Sequence, residues 1–80
     1  MVKTNIKELE ITETMYKRAV EVENAWNELR KADKDNNTSL KDIQLLEMKW
    51  IRLDSKFQDE ENDEFTTREI VLEYERRKRG

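Results

Sequence analysis

Residues 11–29 read ITETMYKRAVEVENAWNEL. Within this stretch Ile11, Met15, Ala19, Val22, Trp26 and Leu29 recur at spacings of four, four, three, four and three. That period places all six on one side of an α-helix, as a core-facing helix requires. The helix is expected to run over about 6–33, with Asn5 and Glu8 as a capping box at its start and Thr12 as the cap of a shorter version. Val2, Thr4 and Ile6 alternate as a strand would, but no second strand follows to pair with them.

Downstream the same period returns. Ile43, Leu46, Trp50, Leu53 and Phe57 form the stripe of a second helix over about 39–58. The two helices are separated by a polar turn at 34–38, and Ser39 with Asp42 three residues on supplies the N-cap signal. A short turn makes the pair an antiparallel hairpin about 30–40 Å long, with Trp26 beside Leu46 and Trp50, and Met15 near Phe57. An acidic run, Asp59, Glu60, Glu61, Asp63 and Glu64, is expected to form a loop over 59–65. Phe65, Thr66, Glu69 and Ile70 then fall at N', N-cap, N3 and N4 of a third helix over 67–79, combining a hydrophobic staple with a capping box. Ile70, Val71 and Tyr74 share its face, and Arg76, Arg77, Lys78 and Arg79 sit at its carbonyl end, where positive charge is favourable. The expected fold is all-α: a long hairpin plus a short third helix in one domain spanning 1–80, with dimerisation expected to support so small a core.

Composition agrees with this plan. The chain has no proline, and its one glycine is Gly80, so the usual helix breakers are missing. Charged residues make up 44% of the sequence yet the net charge is only -3, because acids and bases are interspersed. That mixture suits solvated helix faces carrying i,i+4 pairs such as Glu13 with Lys17 and Glu73 with Arg77. Enrichment in Lys, Glu, Asn and Ile points to an AT-rich bacterial or viral genome. No stretch approaches the roughly 20 apolar residues of a membrane span, and the absence of cysteine fits a reducing compartment, so a cytoplasmic protein is expected.

The same inventory bears on chemistry. Without histidine or cysteine there is no ordinary proton shuttle at neutral pH, no Ser-His or Cys-His pair and no nitrogen or sulfur cage for zinc. Glycine-rich phosphate loops are excluded for want of glycine. We therefore expect no enzyme activity, cofactor or small-molecule substrate.

Residues 33–44, DKDNNTSLKDIQ, resemble the calcium loop of EF-hand proteins. Asp33, Asp35 and Asn37 stand at the first, third and fifth positions, where oxygen ligands are needed, and Leu40 stands at the apolar eighth. Thr38 replaces the glycine of the sharp turn, and Gln44 replaces the bidentate glutamate, removing a charge and an oxygen. An interhelical turn capped by Ser39 is the simpler reading, with no metal bound.

Three surfaces remain once the stripes are buried. The second helix carries Leu45, Met48 and Ile51 largely off its main stripe, with Leu40 nearby and Arg52 as a polar rim. The first helix carries Leu9, Tyr16 and Val20 away from Met15 and Trp26. The third helix is too short to cover both sets. The favoured reading is a small protein that binds another protein and modulates or inhibits it, with Leu45, Met48, Ile51 and Arg52 as first contact surface and Leu9, Tyr16 and Val20 as second. The acidic run is a candidate electrostatic contact that could imitate a phosphate backbone. The competing readings are nucleic-acid binding through Arg76, Arg77, Lys78 and Arg79, with Tyr74 stacking on a base, and a purely structural homo-oligomer.

Overall fold

The structure, a computed structural model, describes residues 5–80 and contains three α-helices in the expected order: α1 (Glu13–Lys34), α2 (Leu40–Glu60) and α3 (Thr67–Arg79). A 3₁₀ turn, Ile6–Glu8, precedes them, and no strand occurs among the described residues. Of the alternating residues at the N-terminus, Val2 and Thr4 lie outside the described residues and Ile6 belongs to the 3₁₀ turn.

α1 starts at Glu13 rather than near residue 6. Thr12 is the cap: its side chain accepts from the Met15 N–H at 3.1 Å. Asn5 caps the 3₁₀ turn instead, accepting from the Lys7 N–H at 3.0 Å. After the 3₁₀ turn the backbone is extended at Leu9 (φ -74, ψ 130) and again at Thr12 (φ -78, ψ 162). The carbonyls freed by leaving the helix are captured from the far end of the sequence. The Arg77 guanidinium donates to Leu9 O at 2.9 Å, to Ile6 O at 2.9 Å and to Lys7 O at 3.1 Å. Leu9 O and Lys7 O are thus satisfied by a cation, and Ile6 O, which already accepts from the Leu9 N–H, gains a second donor.

The turn between α1 and α2 is built from its own polar side chains. Asp35 caps α1 and accepts from the Asn37 N–H at 2.9 Å, and the Thr38 N–H closes on Asp35 O at 3.1 Å. Ser39 caps α2 by accepting from the Asp42 N–H at 3.2 Å. α2 runs on to Glu60, so the acidic residues Asp59 and Glu60 are helical and the loop begins later than the like-charge argument placed it. Carboxylates at a helix C-terminus oppose the helix dipole. Arg18 offsets this by bridging Glu61 at 2.8 Å and Glu60 at 3.3 Å. The loop then turns on Asn62, whose Oδ1 accepts from the N–H groups of Glu64 (2.8 Å) and Phe65 (3.1 Å). Thr66 and Glu69 close the capping box in both directions at 3.2 Å.

The register follows from the cross-helix pairs. Arg18 meets Glu60 and Glu61, Trp26 meets Trp50, and Glu28 meets Lys49, so α1 and α2 are antiparallel. Tyr16 meets Tyr74 and Glu75, and Arg77 reaches Leu9, so α3 is also antiparallel to α1. α1 is therefore the central helix, packed against both others, while α2 and α3 make no extensive contact with each other. At 1.5 Å per residue α3 is about 20 Å long and α1 about 33 Å, so α3 covers only the N-terminal part of α1.

The core sits at that end. Ile11, Met15, Ala19, Val22, Phe57, Phe65 and Ile70 form one buried cluster. Ile6, Leu9, Tyr16, Trp50, Leu53, Val71 and Tyr74 pack around it. Full burial of an aromatic such as Phe57 is worth about 1.5–3 kcal/mol. Toward the turn, Ala25 and Leu29 are buried on α1, but on α2 Phe57 is the only buried residue. Trp26, expected in the main stripe, is half-buried, and Ala25 takes the inward position. The radius of gyration is 14.6 Å against about 12 Å for a typical globular domain of this length, which records the uncovered end of the hairpin.

Candidate functional site

The outer face of α2 is where the sequence pattern placed it. Leu45, Met48 and Ile51 are 56%, 58% and 47% exposed, and Leu40 reaches 71%. Arg52 is exposed among them. At about 100° per residue these side chains point away from Leu46, Trp50, Leu53 and Phe57, which face the bundle.

The second predicted surface has a different fate. Leu9 and Tyr16 pack against the core under α3, and Val20 is half-buried. The Tyr16 and Tyr74 rings stack at 4.2 Å with 17° between planes. The Tyr16 hydroxyl donates to Glu75 Oε2 at 2.9 Å. Its pKa is raised, first by that hydrogen bond to a carboxylate and then by burial. This face is the seat of α3.

The charged segments are likewise partly spent inside the molecule. Within the acidic run, Glu60 and Glu61 are tied to Arg18, while Asp59, Asp63 and Glu64 are exposed. In the basic tail, Arg76 and Arg77 both grip Glu73, at 2.6 and 3.0 Å. Arg77 also holds the 3₁₀ turn, and Lys78 stands 5.4 Å from the Tyr74 ring centre. Glu73 is only 7% exposed, a carboxylate buried on α3 together with Thr67 and Ile70. Hydrogen bonds from Arg76, and then from Arg77, hold its carboxyl below the usual carboxylate range against the opposing effect of burial. The sequence marked Glu73 and Arg77 as a solvated i,i+4 pair; only the approach of α3 to α1 buries it.

Because α2 and α3 flank α1 without closing on each other, a groove of about 790 Å³ lies between them. Glu23 and Trp26 of α1 and Trp50 and Phe57 of α2 line its floor. Val71 and Leu72 of α3 line the opposite wall. Leu72 is 51% exposed and falls off the stripe of Ile70 and Tyr74, a surface residue that the periodicity alone did not single out. The two indoles meet at 4.6 Å with 45° between planes. Four carboxylates border the groove, Glu23, Asp54, Asp63 and Glu64, against two guanidiniums, Arg30 and Arg68. The Glu23 carboxyl is raised above the usual range, chiefly by burial; nearby Arg68 opposes the shift and Asp54 adds to it.

Asp33 to Gln44 form a capped turn in which the Asp35 carboxylate is engaged by the Asn37 N–H. Among the described residues no group of three or more acidic side chains is arranged to hold a metal ion. Nor, among those residues, is any helix long and apolar enough to cross a membrane. No protein-family model matches the chain, and neither a curated protein nor a solved structure matches it. The functional reading therefore rests on its own surfaces.

Proposed function

We propose that this chain is a small non-enzymatic, cytoplasmic protein that binds another protein and modulates or inhibits it, using the outer face of α2. The observation that carries the reading is the exposed row Leu45, Met48 and Ile51 on a helix whose opposite face, through Trp50, Leu53 and Phe57, is already packed on the core. Contiguous exposed apolar side chains on a small soluble bundle mark a contact surface. Met48 supplies an adaptable apolar anchor, and Arg52 a rim group that pairs with acidic or carbonyl oxygens of the partner.

Self-association through the same row is the second reading, and one feature favours it. If two α2 helices pair antiparallel about Met48, Leu45 meets Ile51 of the other copy and Glu47 meets Lys49, as a two-fold interface requires. The chain also exposes 6351 Å², about 1,200 Å² above the roughly 5,200 Å² usual for a monomer of its mass. Nucleic-acid binding by the basic tail has less support, since Arg76 and Arg77 are engaged by Glu73 and by backbone carbonyls.

Nuclease-treated affinity capture with the native chain and with Met48→Glu tests the proposal. A stoichiometric partner retained by the native chain and lost by the variant, with circular dichroism unchanged, is the expected result. Identical capture by both would remove the α2 face from the function. A variant that is dimeric in sedimentation when the native chain is also dimeric would count against the second reading.

A further inference from the structure

We propose that the groove between α2 and α3 is a second, separate interface, which receives a basic amphipathic helix of a partner protein. The shape argument comes first. α3 lies beside α2 only near the Phe57 end, so beyond the start of α3 the groove continues as the uncovered α1–α2 face, and a helix laid along that face packs at ordinary interaxial distances of about 8–10 Å. α3 stops short of the turn end of the hairpin, so the channel is open there and admits a helix from outside. Its interior is apolar where a helix would press: Trp26, Trp50 and Val71 are half-buried, and Leu72 is half-exposed.

Charge selects the kind of helix. Glu23, Asp54, Asp63 and Glu64 outnumber Arg30 and Arg68 around the channel, although acids and bases are nearly balanced over the chain. Glu23 is half-buried and, among the described residues, makes no hydrogen bond and no ion pair within 4.0 Å, so its lost hydration is offset only by the more distant charge of Arg68. A lysine or arginine entering beside the indoles would answer both features, by ion pairing with the carboxylates and by cation–π contact with Trp26 or Trp50. An acidic helix or a nucleic-acid backbone would be repelled by the same groups. The occupant is therefore apolar on one face and cationic along its edges.

The only two tryptophans of the chain line the groove, so their fluorescence reports its occupation directly. The probes are two tryptophan-free helical peptides of roughly 18 residues, about 27 Å long, with the same leucine stripe and either lysine or glutamate on the polar positions. The expected result is a saturable change in emission with the lysine peptide, at an affinity at least about tenfold above that for the glutamate peptide. Asp54→Lys and Glu64→Lys, both on the groove rim and outside the buried core, are expected to erase or invert that preference while the far-UV spectrum stays helical. Met48→Glu, on the outer face of α2, is expected to leave the titration unchanged, which separates this interface from the one proposed above. Absence of a saturable response to the lysine peptide overturns the proposal. So does equal affinity for both peptides, loss of binding in Met48→Glu, or a groove occupied by a second copy, seen as a dimer that Asp54→Lys dissociates.

Discussion

At the end of the hairpin that carries Tyr16, Arg18 and Phe57, three helices and a 3₁₀ turn share one core; at the turn end, around Leu29, Ile43 and Leu46, α1 and α2 have only each other. Both ends use the same apolar residue types at the same spacing. The difference comes from the length of α3, and it decides where burial is complete and where apolar surface is left for others. It also shows in the two perturbed carboxylates. Glu73 in the closed end is gripped by two guanidiniums and its pKa falls; Glu23, at the edge of the open end, loses more to burial than the nearby charge of Arg68 returns, and its pKa rises.

The sharpest way to break this contrast is to truncate an aromatic at each end. Phe57→Ala removes a buried ring from the closed end and is expected to cost about 3–5 kcal/mol, enough to unfold most of a chain this small. Trp50→Ala removes a half-buried ring toward the open end and is expected to cost about 2 kcal/mol, roughly half as much. Urea titrations followed by circular dichroism compare the two directly, and equal losses would show that the two ends are packed alike.

The carboxylates offer a second test, in which the signs are opposite. Glu73 has a lowered pKa in the fold, so its stabilisation is complete above the unfolded value of about 4.3 and is lost as pH falls through the lower folded value. Glu23 has a raised pKa, so its charged form is a liability at neutral pH that disappears as pH falls below the unfolded value. Glu73→Gln is accordingly expected to lower the urea midpoint at pH 7 and flatten its acid dependence, and Glu23→Gln to raise the midpoint at pH 7. Midpoints measured between pH 7 and pH 3 check both directions. The smallest effect concerns the entry to α3: Thr66→Ala removes half of the capping box and is expected to cost about 1 kcal/mol, with α3 and the 3₁₀ turn loosened before the hairpin.

Much of this architecture was legible because the signals were local. Thr66 with Glu69, Ser39 with Asp42, and the Glu13–Lys17 pair need only near neighbours to act, and each forms as its spacing implies. Trp26 and Trp50 meet because a short antiparallel turn fixes the register. The less legible parts depend on distant residues. Ile6 and Leu9 continue the helical pattern of Tyr16 and Val20, yet the chain leaves the helix there because Arg77, some seventy positions away, binds the exposed carbonyls. The acidic run reads as loop until Arg18 is brought to Glu60 and Glu61. The burial of Glu73, and the groove left where the third helix begins only part-way along the hairpin, likewise appear only when α3 is seated on α1. The outer row of Leu45, Met48 and Ile51 was readable because it is the remainder of a simple period.

Residue-resolved native-state hydrogen exchange tests the division into a closed and an open end most directly. Amides of Ala19, Val22, Ile70 and Tyr74 are expected to exchange only through global unfolding, and those of Leu29, Ile43 and Leu46 through a partial opening of lower free energy. Uniform protection along α1 and α2 would contradict the account, because the turn end would then be as firmly packed as the core that α3 completes.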